Sequence, residues 1–175
     1  MKPLKKLQYP TVVNNISFKD KRGYFKELLL EKKVKKRFPF VVMSFSKKNV
    51  LRGLHLQLKN SQGKFISVLK GKIFDVAVDL RKNSRNYGKV FTIILSEKNA
   101  KSLFIPAGYA HGFYTMEKEN YIIYSCTNYR DSKSEVSILF NDKKLKIKWP
   151  AKKPIVSKKD LKALNLEEFE KKFIK

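Results

Sequence analysis

The feature that most constrains the fold is a succession of short apolar segments in the middle of the chain, separated by turn residues. These segments are rich in β-branched and aromatic residues, which favour strands. In segment 73–80, Phe74, Val76, Val78 and Leu80 alternate with the other residues, and this period of two predicts a half-buried strand. Many short strands at regular spacing predict a mainly β, antiparallel sandwich or barrel. The predicted strands cover residues 40–45, 64–69, 73–80, 90–95, 102–105, 121–127, 136–140 and 145–149.

Two stretches outside these segments have helical character. The first, residues 28–37, is short and heavily charged. The second, residues 157–175, places Leu161, Leu164 and Phe169 near helical spacing, and its basic end suits a helix carboxyl terminus. We therefore expect short peripheral helices and a C-terminal helix that packs against the barrel.

The bulk properties of the chain predict one globular domain over residues 1–175. A chain of 175 residues can bury a sizeable core, and 42% of its residues are hydrophobic. The basic N-terminal stretch lacks the apolar run of a signal peptide, and no segment approaches the roughly 18 to 20 apolar residues that span a bilayer. The single cysteine, Cys126, lies in an apolar run and is predicted to be a buried structural thiol. We expect a cytoplasmic protein that makes no membrane contact.

The charge of the chain is strongly positive, with 40 Lys and Arg residues against 15 Asp and Glu residues and a formal net charge of +25. Such a field attracts anions, including nucleic acids, acidic membranes and phosphorylated small molecules. The lysines are spread along the whole chain, and none of the recognised nucleic-acid motifs is present. We therefore expect a solvated basic surface and no nucleic-acid partner. A basic nucleic-acid-binding barrel is the alternative, and salt-dependent retention of DNA or RNA would reveal it.

The chain contains two histidines, His55 and His111, which limits the positions at which an imidazole can act as an acid, a base or a ligand. Each lies between apolar runs, where a strand is expected to meet a turn. Both lie in glycine-containing contexts, with Gly53 before His55 and with Gly108 and Gly112 on either side of His111. Because glycine lets the backbone bend sharply or approach a ligand closely, these positions are the first candidates for a site.

The segment PAGYAH at residues 106–111 matches the second cupin motif, P-x-G-x-x-H. The stretch after His55 occupies the place of the first cupin motif, in which metal-binding members carry a second histidine and a glutamate. Here Gln57 stands in the place of that histidine, and Lys64 lies near the place of the glutamate. Neutral imidazoles and carboxylates hold divalent metals, whereas an ammonium repels them. We therefore expect neither a metal nor another cofactor.

A longer series of motifs resembles one family. In chain order the sequence contains DKRGYFKE (20–27), VLRGLHLQ (50–57), QGK (62–64), GKIFDVAVDLRKNS (71–84), FIPAGYAHGF (104–113), YSCTNY (124–129), NDKKLKIKW (141–149) and SKKD (157–160). Together these strings resemble the dTDP-4-dehydrorhamnose 3,5-epimerase family over most of the chain. The resemblance implies a jelly-roll barrel of the cupin type that forms a homodimer by exchanging an N-terminal segment. It also implies a metal-independent isomerase that inverts C3, C5 or both in a nucleoside-diphosphate 4-keto-6-deoxy sugar, for deoxysugar and cell-surface polysaccharide biosynthesis.

The resemblance assigns catalytic roles to His55, Asp160, Lys64 and Tyr124. His55 is expected to be the base that removes a proton beside the ketone, with its ring oriented by Asp160. Lys64 is expected to stabilise the enolate oxygen, and Tyr124 to return a proton from the opposite face. Taken alone, Asp160 also fits a helix cap and Tyr124 a core aromatic, so the residues by themselves leave these alternatives open.

The same resemblance predicts which residues bind the substrate. Arg52 is a candidate for the diphosphate or the sugar, and His111 for a substrate contact. Arg22 is expected to face phosphate in the pocket of the partner subunit, with Phe25 and Glu27 near the nucleoside base. The full substrate-binding set is Arg22, Phe25, Glu27, Arg52, Gln57, His111 and Tyr129.

The chain departs from the family pattern on the nucleotide side. Val42, Met43 and Ser44 stand where many members carry a Gln-Asp-Asn-like run, and Arg130 follows Tyr129 where many have a second tyrosine. These departures leave the nucleotide and the sugar open. Two other functions also fit the scaffold: a non-catalytic cupin that binds a sugar nucleotide, and a keto-isomerising relative.

Overall fold

The computed structural model describes residues 7–151 and 153–174 of the chain. The first six residues of the basic N-terminal stretch and Lys175, at the end of the predicted C-terminal helix, lie outside the described residues, as does Lys152. Within the described part, two sheets, a separate hairpin and short helices are present. No helix in this part has the length and apolar character that crossing a bilayer requires.

The strands and helices have the following bounds. The strands are β1 (Thr11–Asn14), β2 (Ser17–Asp20), β3 (Gly23–Lys26), β4 (Phe40–Lys47), β5 (Val50–Gln57), β6 (Lys64–Lys70), β7 (Lys72–Asp79), β8 (Val90–Ser96), β9 (Lys101–Ile105), β10 (Tyr109–Thr115), β11 (Glu119–Cys126), β12 (Glu135–Ser137) and β13 (Ile155–Val156). The helices are α1 (Glu31–Val34), α2 (Lys158–Leu161) and α3 (Leu166–Phe173).

The two sheets form the mainly β, antiparallel jelly-roll barrel of cupin type that the sequence predicts. The five-stranded sheet has the order β1-β9-β6-β11-β4. The six-stranded sheet has the order β12-β5-β10-β7-β8, with β13 added alongside β5. The strand pairs are antiparallel, apart from the short pairing of β13 with β5. Strands distant in sequence are therefore neighbours, and each sheet draws on both halves of the chain.

The two largest apolar clusters of the core lie on either side of the six-stranded sheet. Between the two sheets, Ile66, Leu95, Leu103 and Ile122 are fully buried. Burying one such side chain stabilises the fold by about 1.5 to 3 kcal/mol. A second cluster lies on the outer face of the six-stranded sheet, where α3 packs Phe169 against it. The C-terminal segment is thus held to the barrel by apolar contact.

Strand β7 is buried on both faces, so the prediction of a half-buried strand is wrong. Val76 and Val78 belong to the cluster under α3, whereas Ile73 and Ala77 belong to the cluster between the sheets. Asp75 lies on this second face and is fully buried. The more polar side of the alternation therefore points into the barrel, toward the candidate site.

The segment 145–149 forms no strand, contrary to the prediction. The side chain of Asp142 accepts hydrogen bonds from the backbone N–H groups of Lys144 and Leu145, at 2.8 and 3.1 Å. Lys146 then adopts a left-handed φ of 49°. The resulting turn buries Leu145 in the cluster under α3.

The helices are shorter than the sequence predicts. Within residues 28–37 only α1 is helical, and it ends where Lys35 takes a left-handed φ of 53°. The predicted C-terminal helix is divided into α2 and α3. Ser157 caps α2 by accepting a hydrogen bond from the N–H of Asp160, and Asn165 caps α3 through a capping box. Residues 162–165 separate the two helices. Asp160 of α2 is buried and contacts His55 of β5.

The hairpin of β2 and β3 carries exposed aromatic side chains. Phe18, Tyr24 and Phe25 are 57%, 58% and 67% exposed, and the rings of Phe18 and Phe25 lie 6.3 Å apart. Strand β4, at the edge of the five-stranded sheet, also exposes Val41 and Met43. Apolar side chains on a hairpin and on a sheet edge are typical of surfaces that contact another protein.

Candidate active site

A cavity of about 390 Å³ opens between the two sheets. It is lined by the predicted site residues Arg52, His55, Lys64, His111 and Tyr124. Strands β5 and β10 bring Arg52 and the histidines from one sheet, whereas β6 and β11 bring Lys64 and Tyr124 from the other. A molecule in this cavity therefore meets different chemistry on its two faces.

His55 and His111 are partners across β5 and β10 in the antiparallel register. Both lie inside strands, so the prediction that each marks the meeting of a strand and a turn is wrong. A Cβ on Gly53 would lie 2.6 Å from the carbonyl oxygen of His111, and a Cβ on Gly112 would lie 2.7 Å from that of Arg52. The two glycines let the strands come close at a β-bulge that follows His111.

His55 is held by a buried carboxylate. Its Nε2 lies 2.7 Å from Oδ1 of Asp160, and the other carboxylate oxygen accepts the N–H of Gly53 at 3.3 Å. Burial alone would raise the pKa of Asp160, but the hydrogen bonds from His55 and Gly53 outweigh it and lower that pKa below its ordinary value. An ionised Asp160 selects the tautomer of His55 that carries hydrogen on Nε2. The basic lone pair of His55 is then on Nδ1.

Lys64 is the cation of the opposite wall. It lies at the start of β6 and pairs in register with Cys126 of β11. Loss of solvent lowers the pKa of its ammonium group, although Cys126, Glu135 and Asp75 act in the other direction. A desolvated ammonium group interacts strongly with a negative oxygen that forms beside it, because little water screens the two charges. Lys64 is thus suited to an oxyanion.

Tyr124 lines the same wall as Lys64. Its hydroxyl oxygen lies 2.9 Å from Oγ of Ser44 on β4, and its ring packs edge-on against His111 with centroids 6.1 Å apart. Burial raises the pKa of the phenol above its ordinary value. Tyr124 is therefore protonated at neutral pH and is suited to give a proton.

A second histidine–carboxylate pair joins His111, in the cavity lining, to Asp75, which lies behind it. Nε2 of His111 is 2.9 Å from Oδ2 of Asp75, and both side chains are buried. Oδ1 of Asp75 has no hydrogen-bond partner within residues 7–151 and 153–174. The sequence reasoning missed Asp75 as a site residue. The signal that could have found it is a carboxylate in the middle of a strand, between the apolar residues Phe74 and Val76.

Arg52 extends across the end of β4. Its Nε donates to Oγ of Ser46 at 3.0 Å, and its Nη2 donates to the carbonyl oxygen of Phe45 at 3.2 Å. These bonds leave the rest of the guanidinium at the cavity, where it adds positive charge beside His55. Such a position suits an anionic group of a bound ligand.

Arg130 and Glu135 also line the cavity and form an ion pair that the sequence does not predict. Arg130 Nε lies 2.7 Å from Oε1 of Glu135, and Nη2 lies 3.0 Å from Oε2. The hydrogen bonds from Arg130 lower the pKa of Glu135. Nζ of Lys159 lies 3.5 Å from the same carboxylate, which connects this pair to the helix that carries Asp160.

Gln57 and Tyr129 lie outside the cavity lining. The side-chain amide of Gln57 is buried and donates to the carbonyl oxygens of Asn60 and Tyr129, at 2.8 and 3.2 Å. Its oxygen accepts the N–H of Asp131 at 2.8 Å. Tyr129 is 67% exposed, and its ring lies 5.9 Å from that of Phe40. Within one chain, Gln57 therefore holds the loop after β11.

The residues predicted to reach the nucleotide lie on or just after the β2–β3 hairpin. Arg22 is exposed and paired with Asp20 at 2.6 Å, and Phe25 packs on Phe18. Glu27 lines a separate small cavity, where its Oε2 is buried without a hydrogen-bond partner among the described residues. These side chains are absent from the lining of the cavity that contains His55 in the same chain.

The donor set of the cavity does not fit a divalent metal. Lys64, Arg52 and Arg130 line the cavity with positive charge, which repels a divalent cation. In the part of the chain that the structure describes, no three His, Cys, Asp or Glu side chains come together as metal ligands would. The arrangement instead places an imidazole, an ammonium group and a phenol around one space.

Comparisons with known proteins point to one family. The family model for dTDP-4-dehydrorhamnose 3,5-epimerase matches residues 5–168. The chain is 41% identical over 151 residues to the dTDP-4-dehydrorhamnose 3,5-epimerase of Shigella flexneri, a match that covers 82% of this chain and 83% of that protein. It is 43% identical over 159 residues to the enzyme of the same name from Salmonella typhimurium, covering 86% of this chain and 87% of the relative.

Solved structures are similar over nearly the full length. The dTDP-6-deoxy-D-glucose-3,5-epimerase of Legionella pneumophila, in complex with dTDP-4-keto-L-rhamnose, has a TM-score of 0.88 and 37% identity, with coverage of 94% of this chain and 92% of that one. The dTDP-4-dehydrorhamnose 3,5-epimerase of Bacillus anthracis, with TDP and PPi bound, has a TM-score of 0.88 and 34% identity, with coverage of 93% and 97%.

Proposed function

The chain belongs to the dTDP-4-dehydrorhamnose 3,5-epimerase family, and from that premise we propose that it epimerises a deoxythymidine-diphosphate 4-keto-6-deoxy sugar at C3 and C5. The observation that carries the proposal is the placement of His55 and Tyr124 on facing sheets, on either side of one cavity. A base and an acid that approach from opposite sides are what inversion of a carbon centre requires. The product would serve deoxysugar and cell-surface polysaccharide biosynthesis.

The chemistry begins with the acidity of a carbon beside a ketone. A C–H bond next to the 4-keto group can lose its proton because the electron pair passes to the carbonyl oxygen and forms an enolate. We assign the removal of this proton to Nδ1 of His55, with Asp160 on Nε2 to hold the ring and to stabilise the imidazolium. Lys64 stabilises the negative oxygen of the enolate.

Inversion then follows from the side on which the proton returns. Tyr124 gives its hydroxyl proton to the carbon from the face opposite to His55, and the electron pair returns from oxygen to that carbon. The high phenol pKa keeps this proton in place until the enolate forms. No electrons enter or leave, so the step needs no redox cofactor.

The nucleotide side of the substrate is assigned to the cations around the cavity. Arg52 and Arg130 line it, and both can pair with a diphosphate. Proteins with similar folds hold dTDP-4-keto-L-rhamnose or TDP with PPi, and these ligands support a thymidine nucleotide here. Val42 and Met43 line the same cavity and give it an apolar side.

We also propose a homodimer in which the N-terminal segment enters the neighbouring subunit. The exposed aromatic side chains of the β2–β3 hairpin and the exposed apolar side chains of the β4 edge support such a contact. Arg22, Phe25 and Glu27 would then reach the nucleotide in the partner subunit's cavity. We place the enzyme in the cytoplasm, where a buried free thiol such as Cys126 stays reduced.

The deciding experiment is incubation with the dTDP-4-keto-6-deoxy sugar in heavy water. Proton NMR should show deuterium at C3 and C5 together with inversion at both carbons. Deuterium at one carbon alone would restrict the activity to a single epimerisation, and movement of the keto group would indicate an isomerase. A protein that binds the nucleotide sugar but exchanges no deuterium would contradict the proposed function.

A further inference from the structure

Ser44 lines the cavity, and the mechanism above gives it no role. Its Oγ lies 2.9 Å from the hydroxyl oxygen of Tyr124. No second hydrogen-bond partner of that hydroxyl is present within the described ranges, 7–151 and 153–174. We propose that Ser44 is a positioning residue that holds the hydroxyl of Tyr124 and returns a proton to it after each transfer, an inference that rests on the proposed role of Tyr124 as the acid.

The contact is built into the sheet. In the register of β11 with β4, Tyr124 is the partner of Val42, and Ser44 follows two residues later on the same face. Such a diagonal neighbour is within reach of an aromatic side chain. The register runs without a bulge from Glu119 to Cys126. Ser44 is therefore fixed beside the phenol by strand pairing.

The hydrogen bond from Ser44 stabilises Tyr124 after it has given up its proton. When the phenol of Tyr124 gives its proton to the sugar carbon, a phenolate is left in a site where burial disfavours negative charge. The hydroxyl of Ser44 can donate to that oxygen, and a hydrogen bond to a charged atom is stronger than one between neutral groups. The phenolate is thus stabilised as it forms.

The same hydroxyl provides a route for recovery of the proton. Ser44 passes its proton to the phenolate of Tyr124 and takes one from water in the cavity. The proton that His55 removed from the sugar leaves to solvent, so protons and charge balance over one turnover. Two inversions on one substrate require this recovery twice.

The first test compares Ser44→Ala with Ser44→Thr, which keeps the hydroxyl. Deuterium exchange reports proton removal by His55, whereas inversion also requires Tyr124. We expect Ser44→Ala to lower kcat for inversion about tenfold, as the loss of a hydrogen bond to a charged group would. Exchange and KM should stay close to wild type, and Ser44→Thr should restore inversion. Thr92→Ala, which removes an exposed hydroxyl from β8, is the matched control.

The second test places Ser44→Ala in a Tyr124→Phe background. If Ser44 acts through the phenol hydroxyl, it should cause no further loss of inversion there. Additive losses of inversion in the double variant would overturn the inference, and so would a Ser44→Ala enzyme that inverts the substrate at the wild-type rate. In either case, deuterium exchange by the wild type would still uphold the proposed function. A wild type without exchange refutes that function instead. Even in that case, the ¹³Cζ chemical shift of Tyr124 should differ from its wild-type value in Ser44→Ala and return to that value in Ser44→Thr. An unchanged chemical shift in Ser44→Ala would contradict the hydrogen bond between Ser44 and Tyr124.

Discussion

His55 and His111 lie opposite each other across β5 and β10, yet their Nε2 atoms turn to different carboxylates, at 2.7 Å to Asp160 and at 2.9 Å to Asp75. The side chain of His55 is 37% exposed and that of His111 only 4%. A proton taken by His55 can therefore leave to solvent, whereas His111 is enclosed by the barrel. This difference supports the assignment of the base to His55 and of a substrate contact to His111.

We expect His55→Ala to abolish deuterium exchange at both C3 and C5, since one base serves both carbons. General acid–base groups contribute about 10² to 10⁴ in rate. Exchange is measured by NMR in heavy water, and binding of the nucleotide by calorimetry serves as the control for folding. A His55→Ala enzyme that retains more than about a tenth of wild-type exchange would contradict the assignment.

We expect Asp160→Asn to lower the exchange rate by about 10² to 10⁴, because an amide can stabilise the wrong tautomer of the imidazole. Nδ1 of His55 would then carry hydrogen and could no longer accept a proton. Ser157→Ala is the matched control, since it removes the cap of α2 but keeps the carboxylate. Equal losses in both variants would show that Asp160 acts only through the position of the helix.

Motifs predicted the side chains of the cavity and Asp160 as the partner of His55, but not the partners of His111 and Tyr124. His55, Lys64 and Tyr124 stand in strings specific enough to be recognised one by one, and the structure brings them to one cavity. Asp75 and Ser44 were missed because their contacts depend on strand register, which the sequence pattern leaves undefined. The hydrogen bond between Ser44 and Tyr124 depends on the pairing of β4 with β11.

Strand prediction failed where the cavity required polar side chains. Strands β5 and β10 were not predicted, because Arg52, His55 and two close-packed glycines interrupt the apolar pattern on which the prediction relies. The opposite error occurred at residues 145–149, where an alternation of apolar residues with lysines belongs to irregular backbone that buries only Leu145. The mainly β class survives both errors, since it depends on the remaining strands.

Activity should survive exhaustive chelation. Lys64 supplies a positive charge to the cavity on the sheet opposite His55, so stabilisation of the enolate needs no divalent ion. The epimerisation rate is measured after dialysis against a chelator and again after divalent ions are added back. Loss on chelation followed by recovery with one particular ion would overturn this prediction.

Asp79→Asn should lower the free energy of unfolding at pH 7 by about 2 kcal/mol, because it breaks the hydrogen-bonded ion pair of a buried carboxylate with the partly exposed Arg81. Asp79 is fully buried, accepts hydrogen bonds from Arg81 at 2.9 and 2.6 Å, and accepts the hydroxyl of Ser84 at 2.7 Å. Burial alone would raise the pKa of Asp79, but the bonds from Arg81 and Ser84 lower it below its ordinary value.

The pH dependence of that variant follows from the sign of the shift. A carboxyl whose folded pKa is depressed contributes stability above its unfolded pKa, near 3.8, and loses this contribution as the pH falls through the folded value. The difference in stability between wild type and Asp79→Asn should therefore be full at pH 7 and shrink below about pH 4. Denaturant unfolding of both proteins, at pH 7 and below about pH 4, measures this difference in stability. A difference that does not change with pH would show that the ion pair is not its source.

The proposed exchange of N-terminal segments predicts complementation between two inactive variants. His55→Ala removes the base from its own cavity, whereas Arg22→Ala removes a phosphate contact from the partner's cavity. In a mixed dimer, one of the two cavities is complete. It is the cavity of the Arg22→Ala chain, which keeps its own His55 and receives Arg22 from the His55→Ala chain. Mixing equal amounts after mild dissociation should therefore recover about a quarter of wild-type activity, since half of the dimers are mixed and each has one complete cavity. Light scattering checks that the protein is a dimer throughout. Full activity in a stable monomer, or no recovery from dimers that have demonstrably exchanged subunits, would show that Arg22 serves no neighbouring cavity.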